Sequence, residues 1–432
     1  MLYRVRAVLP ERSKGSTDVT AVDSVPTDLD YTSPDLIMEG GIPHEQFKAA
    51  RQSEPVRWVE QPQGSRDGMS AESGTGYWAV TKHADVSAVS KDSKRFSNME
   101  NGAIIRFAEG MERDQVELQR VMLINQDDPD HGVFRRIISR GFTPRAIGGL
   151  DDLMQQRAVQ IVKAASERGT GNFVDEVAAE LPLQAIADFI GVPQEDRHKL
   201  FHWSNQMMSY DDPDVDGQPD VAAAEILGYA MGLAAERKAT PRDDIITKLV
   251  TADQDGRGLT DDEFGYFVIM LAVAGNETTR NAITHGMNAF FDHPEQWELF
   301  KRERPETAVD EIIRWATPVL CFQRTALEDV ELGGAAIKKG ERVGIFYSSG
   351  NFDEDVFEDP FSFNVLRDPN PHLSFGGHGA HYCIGANLAR KEVAFMFNAL
   401  ADHVPDISRL AEPRRLRHGW IHGIKELQVA YT

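Results

Sequence analysis

The stretch Phe375-Gly-Gly-His-Gly-Ala-His-Tyr-Cys383-Ile-Gly385 places one cysteine at the end of a glycine-rich segment. Residues 386–395 are rich in helix formers, so Cys383 is expected near the N-terminus of a helix. Free N–H groups and the helix dipole favour an anion there, and the pattern therefore predicts a Cys383 thiolate. The glycines, which have no Cβ, are expected to let the loop approach a flat, bulky partner.

Two other kinds of site fit the segment less well. A zinc site built from His378, His381 and Cys383 lacks a fourth ligand at finger-like spacing. A phosphate loop is not favoured either, because the segment has no Gly-Lys-Ser/Thr ending and Tyr382 replaces the third glycine of a dinucleotide fingerprint. A haem iron held by a thiolate is the interpretation that remains.

The segment resembles the haem loop of the cytochrome P450 enzymes. Phe375 lies eight residues before Cys383, where the commonest form of the loop has seven, and the extra glycine leaves Gly379 in place. The resemblance implies that Cys383 is the metal ligand of a haem b, that Phe375 and Gly385 lie beside the haem, and that His381 faces a propionate. It also implies a mainly α fold with a minor β region, a helix-rich triangular prism that holds the haem between a long central helix and the cysteine-loop helix.

Composition limits the class of protein. The chain has 432 residues, of which 41% are apolar, enough for a large buried core. Its 46 basic and 68 acidic residues give a net charge of −22, which argues against a nucleic-acid partner. The two cysteines, Cys321 and Cys383, lie in different contexts and suggest no disulfide framework. A reducing cytosol fits this usage, so a cytoplasmic location is predicted, and Cys321 is interpreted as a packing residue.

The domain organisation is predicted to be simple. The longest apolar run near the middle, 267–274, is too short to span a bilayer, and no N-terminal apolar segment is visible, so no membrane anchor is expected. Residues 1–30 are predicted to be a poorly ordered polar extension, and residues 31–432 a single cytochrome P450 domain.

Helical periodicity dominates the longer segments. The pattern predicts helices over 151–165, 220–238, 285–302 and 386–403, and strands over 56–59, 77–81, 342–347 and 427–431. The acidic stretch 211–217 imitates the first half of a calcium loop, but Ala223 stands where such a loop needs its bidentate glutamate. We interpret this stretch as a solvated connection between two helices, which in the family would lie over the substrate entrance and move.

The run Ala274-Gly275-Asn-Glu277-Thr278-Thr279 interrupts a long apolar helical pattern. A glycine costs a helix about 1 kcal/mol relative to alanine, and a threonine hydroxyl bonded one turn back bends the helix. Alone, the run is typical of a helix with a polar stripe facing solvent. Together with the haem loop it resembles the family's oxygen-activation site, which implies that Ala274 and Gly275 leave space above the iron, Glu277 connects to solvent and Thr278 guides proton delivery.

Further charged residues match positions of the family. Glu311 and Arg314 stand three apart on one predicted helix and resemble its Glu-x-x-Arg signature, whose third member matches Arg367. Haem propionates need cations if they are partly buried. The resemblance implies four such residues besides His381, namely His131, Arg135, Arg324 and His372.

A narrower resemblance covers nearly the whole chain beyond the first thirty or so residues. Four stretches, 138–146, 181–187, 199–205 and 419–423, resemble the actinobacterial steroid C26-monooxygenases, which oxidise the terminal methyl of a cholesterol or cholestenone side chain. The resemblance implies a sterol-like lipid as substrate and a set of residues that line an apolar funnel: Ile104, Phe107, Met207, Val273, Val319 and Trp420. On composition alone, Phe107 and Trp420 fit core packing equally well.

The resemblance implies a monooxygenase that uses O2 and takes electrons from a ferredoxin and its ferredoxin reductase. The docking surface is expected on the cysteine side, where the basic residues are Arg136, Arg140, Arg390 and Lys391.

Two other functions stay open. One is a P450 hydroxylase of methyl-branched fatty acids or other lipids, and the other is a haem sensor without enzymatic activity, which would not need Glu277 or Thr278.

Overall fold

Helices make up most of the molecule, as the sequence predicts. A computed structural model describes residues 29–215, 218–242, 244–251 and 258–432. Its α-helices are α1 Pro34–Gly40, α2 His44–Ser53, α3 His83–Lys91, α4 Arg113–Leu118, α5 Asp130–Ser139, α6 Pro144–Gly148, α7 Asp151–Arg168, α8 Glu180–Ile190, α9 Arg197–Met208, α10 Pro219–Ala239, α11 Ile245–Val250, α12 Asp261–Asp292, α13 Pro294–Glu303, α14 Thr307–Ala316, α15 Tyr347–Gly350 and α16 Ala386–His403.

The β structure is small and lies in several sheets. The strands are β1 Val56–Glu60, β2 Gly76–Val80, β3 Phe96–Ser97, β4 Thr170–Asn172, β5 Cys321–Ala326, β6 Val330–Leu332, β7 Ala335–Ile337, β8 Arg342–Phe346, β9 Ser408–Arg409, β10 Arg414–Arg415, β11 Ile424–Glu426 and β12 Gln428–Ala430. The largest sheet has the order β1-β2-β8-β5-β3, in which only the β2 and β8 pair is parallel. This sheet carries β5 to the edge of the site described below.

Helix α12 is the long central element. At its start the Thr260 hydroxyl accepts a hydrogen bond from the Glu263 N–H at 3.1 Å, and the Glu263 carboxylate accepts one from the Thr260 N–H at 2.9 Å. This capping box satisfies two N–H groups that the first turn leaves unpaired. Helix α12 packs against α8, α9, α10, α14 and α16. A Cβ on Gly286 would lie 2.6 Å from Ile312, so a glycine is needed where α14 crosses.

The predicted elements agree with the structure in most places and differ in one. The predictions for α7, α10 and α16, and for strands near β1, β2, β8 and β12, are confirmed. The single helix predicted over 285–302 is wrong, because α12 ends at Asp292 and α13 begins at Pro294. Proline has no N–H to continue the helical ladder and restricts the residue before it, which forces the break at His293.

The connection between α9 and α10 is not solvated along its whole length, which corrects the prediction. Asp212 is 3% exposed, and its carboxylate accepts a hydrogen bond from Lys425 Nζ at 2.8 Å and one from the Arg417 N–H at 3.1 Å. These contacts hold the connection against the C-terminal strands, and their partners lie some 200 residues away. Asp216 and Gly217 lie outside the described residues.

No helix within the described ranges combines the length and the apolar character that a membrane crossing requires. The predicted division into residues 1–30 and 31–432 stays a prediction. Residues 1–28 lie outside the described part of the chain.

A buried ion-pair cluster ties α14 to the segment that precedes the cysteine loop. Glu311 and Arg314 are fully buried, and two N–H groups of Arg314 each donate to the Glu311 carboxylate at 2.8 Å. Arg367 Nε donates to the same carboxylate at 3.0 Å. One buried carboxylate is therefore the ion-pair partner of two guanidinium groups.

The substitution Glu311→Gln is expected to lower the free energy of unfolding by about 3 kcal/mol, because it leaves two buried guanidinium groups without a counter-charge. Urea unfolding of the purified protein measures this effect. The matched control is Glu303→Gln, whose carboxylate is 48% exposed and pairs with Arg302 at the surface. The control is expected to lose less than about 1 kcal/mol. Equal losses in both variants would contradict the structural role of Glu311.

Candidate active site

Cys383 lies at the end of the loop that leads into α16. Its N–H donates to the Phe375 carbonyl at 2.9 Å, which closes the loop, and α16 begins three residues later. The thiol borders a cavity that contains about 1560 Å³ of space free of protein atoms, part of it open to solvent. The opposite wall is formed by α12, which contributes Ala274, Gly275 and Thr278. The structure thus brings the two predicted motifs, over 100 residues apart, to one cavity.

Two glycines of the cysteine loop have a packing role that the sequence did not predict. A Cβ on Gly379 would lie 1.6 Å from the Ser90 carbonyl oxygen, and one on Gly377 would lie 2.5 Å from Ser90 Oγ. These two glycines therefore let the loop pack against α3, and the predicted close approach of the loop to a haem stays a prediction. Gly376 has a φ of +95°, which a residue with a Cβ rarely adopts. A Cβ on Gly385 would make only ordinary contact with the Cys383 sulfur, at 3.9 Å.

The electrostatic environment of Cys383 does not favour a free thiolate. Burial among protein atoms raises the pKa of the thiol, although its surface is open to the cavity, and a hydrogen bond from the Gly385 N–H and the charges of Arg135 and Arg390 oppose that rise. The predicted thiolate therefore needs a stronger stabilising partner than the helix terminus, and it stays a prediction. A coordinated metal ion deprotonates a thiol outright, so this sulfur is suited to be a metal ligand.

Basic side chains lie close together at the cavity. Arg135, Arg324 and His381 line it, and the ring of His131 lies behind His381 with centroids 4.1 Å apart. Arg135 donates to the Tyr382 carbonyl at 2.5 Å. Burial, together with the charges of Arg324, His131 and Arg135, lowers the pKa of His381 to about 2. His381 is therefore neutral at neutral pH, since burial and repulsion by the nearby guanidinium charges disfavour a proton on its ring.

Two carboxylates would relieve this repulsion. Arg324 is 4% exposed and donates to the Gln323 carbonyl at 2.7 Å, a neutral partner. His131 is 2% exposed, and its Nε2 finds no hydrogen-bond partner among the described residues. Buried cations and an unsatisfied buried nitrogen are the pattern expected around anionic groups. The residues present therefore fit the two propionates of a haem whose iron is held by Cys383.

His372 lies elsewhere in the described structure. Its Nε2 is 3.1 Å from Asp310 Oδ1, and its Nδ1 accepts a hydrogen bond from the Ser374 N–H at 3.3 Å. Asp310 also accepts from Arg390 Nε at 2.7 Å, and these hydrogen bonds outweigh burial and lower the pKa of Asp310 to about 2. Both ring nitrogens of His372 are thus in use, and its predicted contact with a propionate stays a prediction.

The α12 residues that line the cavity lie along one face of that helix. The Thr278 hydroxyl donates to the Ala274 carbonyl one turn earlier at 2.6 Å, as expected for a threonine within a helix. A Cβ on Gly275 would lie 2.9 Å from Ile186, so this glycine admits the packing of α8 as well as leaving space in the cavity. Thr278 lines the same cavity as Cys383.

Glu277 does not reach solvent, which corrects the prediction for this residue. It is 3% exposed and forms an ion pair with Arg280, and its other oxygen accepts a hydrogen bond from Asn281 Nδ2 at 2.8 Å. Arg280 in turn donates to Asn205 Oδ1 at 3.0 Å. Glu277 is therefore held beside the cavity wall and connected to α9, and its part in proton supply stays a prediction.

The six residues predicted to bind substrate are not all brought together. Val319 lines the cavity, and Ile104, Val273 and Trp420 pack in the same apolar cluster as Val319. Met207 packs against the main core between helices, and Phe107 is buried with 7% exposure. The described structure thus supports four of the six as one apolar wall, and all six stay predictions as substrate contacts.

Other residues of the cavity were missed in the sequence. Phe322 lines it two residues before Arg324, and the two-residue period of a strand was the available signal. On α12 the lining residues Phe267, Leu271 and Ala282 extend the Thr278 stripe at helical spacing. Phe142, Phe189 and Tyr347 also line the cavity, and no local pattern in the sequence indicates them.

Glu392 is the missed residue with the most unusual chemistry. It lies on α16, lines the cavity and is 2% exposed, and its Oε1 finds no hydrogen-bond partner in the described structure. Burial raises the pKa of its carboxyl to about 8, opposed by a hydrogen bond from the Thr279 side chain. Glu392 is therefore protonated at neutral pH.

The proton on Glu392 predicts a pH-dependent stability. The unfolded chain releases it above the ordinary pKa of 4.5, whereas the folded protein keeps it up to pH 8, so the stability contributed by this group is lost as pH rises across this interval. Between pH 5.5 and 7.5, wild type is expected to lose about 2 to 3 kcal/mol relative to Glu392→Gln. Urea unfolding of both proteins measures this difference in the free energy of unfolding. The other titratable groups are the same in both proteins, so their contributions cancel. Parallel pH profiles would contradict a protonated Glu392.

Comparison with known proteins agrees with this geometry. The cytochrome P450 family model matches residues 305–402. A steroid C26-monooxygenase from Rhodococcus jostii is 57% identical over 420 residues, which cover 96% of this chain and 88% of that protein. A methyl-branched lipid omega-hydroxylase from Mycobacterium tuberculosis is 42% identical over 372 residues, or 83% of this chain and 85% of that protein. The solved structure of a Mycobacterium marinum cytochrome P450 in complex with pseudoionone has a TM-score of 0.85 at 34% identity, covering 96% of this chain and 100% of that one. The chain belongs to the cytochrome P450 family.

Proposed function

We propose that this cytochrome P450 is a haem-thiolate monooxygenase that hydroxylates the terminal methyl (C26/C27) of a cholesterol or cholest-4-en-3-one side chain, and that further turns yield the acid. The observation that carries the proposal is the single cavity bordered by the Cys383 thiol, the Thr278 hydroxyl and an apolar wall. The 57% identity to a steroid C26-monooxygenase over nearly the whole chain supports the choice of substrate.

The cofactor is proposed to be haem b. Cys383 would hold the iron, and Arg135, Arg324 and His381, with His131 behind them, would hold the propionates. Ala274 and Gly275 offer no bulky side chain on the opposite wall. A thiolate-ligated haem supplies the one-electron and O2 chemistry that no side chain of this protein provides, and the thiolate favours cleavage of the O–O bond.

The residues of α12 are proposed to manage protons. Hydroxylation of one C–H group converts the substrate, O2, two electrons and two protons into an alcohol and water. The Thr278 hydroxyl, held by the Ala274 carbonyl at 2.6 Å, presents its oxygen to the cavity and can pass a proton there. Glu277 adjoins it in sequence, and its carboxylate, held by Arg280, is proposed as the group that supplies protons to Thr278.

Removal of the Thr278 hydroxyl is expected to uncouple the reaction. The variant Thr278→Ala should keep its haem and bind substrate normally, yet yield less product per electron consumed, because reduced oxygen leaves as peroxide or water. The ratio of product to NAD(P)H oxidised, with peroxide assayed in parallel, measures this. The matched control is Thr284→Ala, since Thr284 is buried on the same helix and donates to the Arg280 carbonyl one turn earlier at 2.8 Å. An unchanged product yield in Thr278→Ala would refute the role.

The apolar wall suits a sterol. Such a molecule has many CH groups and one polar end, so its burial supplies affinity at about 25 cal/mol per Å². A primary C–H bond is harder to break than the tertiary C–H bond beside it. Attack on the terminal methyl therefore requires that the protein place the methyl group at the reacting centre and keep the tertiary carbon away from it. Val319 and Phe322 line the cavity, and the Trp420 ring lies 5.9 Å from that of Phe322 with its Nε1–H bonded to Tyr210 at 2.9 Å. These rings and side chains are proposed to narrow the passage.

Spectral titration of the ferric protein tests the substrate class. Cholest-4-en-3-one and cholesterol are expected to move the Soret band toward the high-spin position at lower concentration than a methyl-branched fatty acid does. Turnover of the bound sterol should then give the C26 or C27 alcohol. Tighter binding of the branched fatty acid would favour the second candidate, a lipid omega-hydroxylase, which the 42% identical relative supports. A spectral response without NAD(P)H-driven product, in the presence of a competent reductase, would favour a sensor.

The electron donors are proposed to be a ferredoxin and its ferredoxin reductase. On the cysteine side Arg136 is exposed, whereas Lys391 pairs with Asp151 at 2.5 Å and Arg390 lies over the Phe375 ring at 4.5 Å. Arg136 is therefore the residue of the predicted basic set that offers the most accessible charge to an acidic partner. The cytoplasmic location stays a prediction.

A further inference from the structure

The segment Asn101–Ile105 has neither helix nor strand, yet each of its five backbone carbonyls accepts a hydrogen bond from one of two residues of the large sheet. Gln323 Nε2 lies 3.0 Å from the Asn101 oxygen, 3.2 Å from that of Gly102 and 2.8 Å from that of Ile104. The Gln323 N–H donates to the Ala103 carbonyl at 2.8 Å. Arg342 Nη2 donates to the Ile105 carbonyl at 2.5 Å. We call residues 101–105 the wall loop.

Gln323 and Arg342 act as one unit. Both are fully buried, and Arg342 Nε donates to Gln323 Oε1 at 2.7 Å, which fixes the orientation of the amide and directs its NH2 group toward the wall loop. Arg342 Nη1 also donates to Gln61 Oε1 at 2.8 Å. Because the amide nitrogen has two hydrogens for three carbonyls, these hydrogen bonds are shared.

Burial of the Arg342 guanidinium among neutral oxygens costs free energy. The hydrogen-bond partners of Arg342 named above are neutral oxygens, and a buried guanidinium without a carboxylate in contact requires many of them. Burial lowers the pKa of Arg342 to about 10, so the residue remains charged at neutral pH. Such an arrangement holds the wall loop far more firmly than the few contacts of an ordinary surface connection.

The wall loop is joined to the cavity through β5. Side chains alternate along a strand, and Phe322 and Arg324, on either side of Gln323, both line the cavity. Ile104 of the wall loop packs in the same apolar cluster as Phe322 and Val319. The position of the wall loop therefore determines where Ile104 packs in this cluster, to which Val319 and Phe322 of the cavity lining belong.

We propose that Gln323 and Arg342 are positioning residues that hold the wall loop against β5 and thereby set the width of the passage that selects which carbon of the sterol side chain is oxidised. The inference rests on the proposed function, because it takes a sterol as the occupant of the cavity. It adds to that function a specificity determinant that does not itself touch the substrate.

The variant Gln323→Met tests the proposal, since it keeps the volume and removes the three hydrogen bonds from the Gln323 side chain to the wall loop. The ratio of inner-carbon to terminal-methyl products from cholest-4-en-3-one is expected to rise about fivefold or more, because misplacements of about 1 Å have large effects on reaction rates. Hydrogen exchange of the backbone amides of residues 98–107 should accelerate. The reduced CO-bound spectrum should stay that of wild type, which excludes damage to the haem site.

Gln323→Glu separates the two roles of the amide. A carboxylate keeps the contact with Arg342 but presents an acceptor where the carbonyls need a donor, so the shift in products is expected to match that of Gln323→Met. Thr325→Val offers a milder test, because it removes only the 3.0 Å hydrogen bond from Asn101 Nδ2 to Thr325 Oγ1, and a smaller shift in the same direction is expected. The control Gln296→Met removes a half-buried amide on α13 that accepts from the Val365 N–H at 3.0 Å. Its products should equal those of wild type.

A wild-type product ratio in Gln323→Met and Gln323→Glu would overturn the proposal, as would unchanged amide exchange in the wall loop. The exchange measurement needs no substrate, so its failure overturns the inference whatever the enzyme oxidises. If wild type instead gives no hydroxylated sterol, the proposed function fails, and the exchange of the wall loop still decides whether these residues hold it.

Discussion

One hydrogen bond, from the Cys383 N–H to the Phe375 carbonyl at 2.9 Å, closes the loop on which the active site depends. The closed loop is pressed against α3 at Gly377 and Gly379, where no Cβ would fit, and it leads directly into α16. The sulfur is therefore delivered to a fixed point opposite Thr278 on α12. A site that must align a metal ligand with a proton donor across a cavity needs rigid elements on both sides.

Burial of the polar residues around this cavity costs free energy, and contacts within the protein do not fully compensate for it. Arg135, Arg324 and His381 are partly or wholly buried next to one another, and His131 keeps an unsatisfied nitrogen behind them. The two propionates of a haem would supply counter-charges for Arg135 and Arg324 and a hydrogen-bond partner for that nitrogen. Stability and cofactor binding are thus expected to be coupled, because a ligand that binds only the folded state stabilises it. In the Glu311 cluster, by contrast, both guanidinium groups pair with a carboxylate of the protein itself.

The parts that could be predicted from the sequence are those with a local pattern. The cysteine loop, the Ala274 to Thr279 run and the helices α7, α10 and α16 have such patterns, and the structure brings the two motifs to one cavity. The end of α12 before His293 could also have been predicted, because proline at position 294 disfavours a continuous helix there.

The parts that could not be predicted depend on partners distant in sequence. The glycines of the cysteine loop are explained by Ser90, about 290 residues earlier, and the burial of Asp212 by Lys425. Glu277 is turned toward Arg280 rather than solvent by packing between helices. Gln323 fixes carbonyls of the wall loop more than 200 residues away, and backbone carbonyls carry no signal in a sequence.

The central claim is that Cys383 alone supplies the metal ligand on its side of the cavity. It is tested most directly by the absorption spectrum of the reduced protein under carbon monoxide, recorded for wild type and for Cys383→His. Wild type is predicted to show the Soret band typical of thiolate ligation, and the variant the band typical of imidazole ligation. An imidazole-type band in wild type, or a thiolate-type band that persists in Cys383→His, would contradict the account.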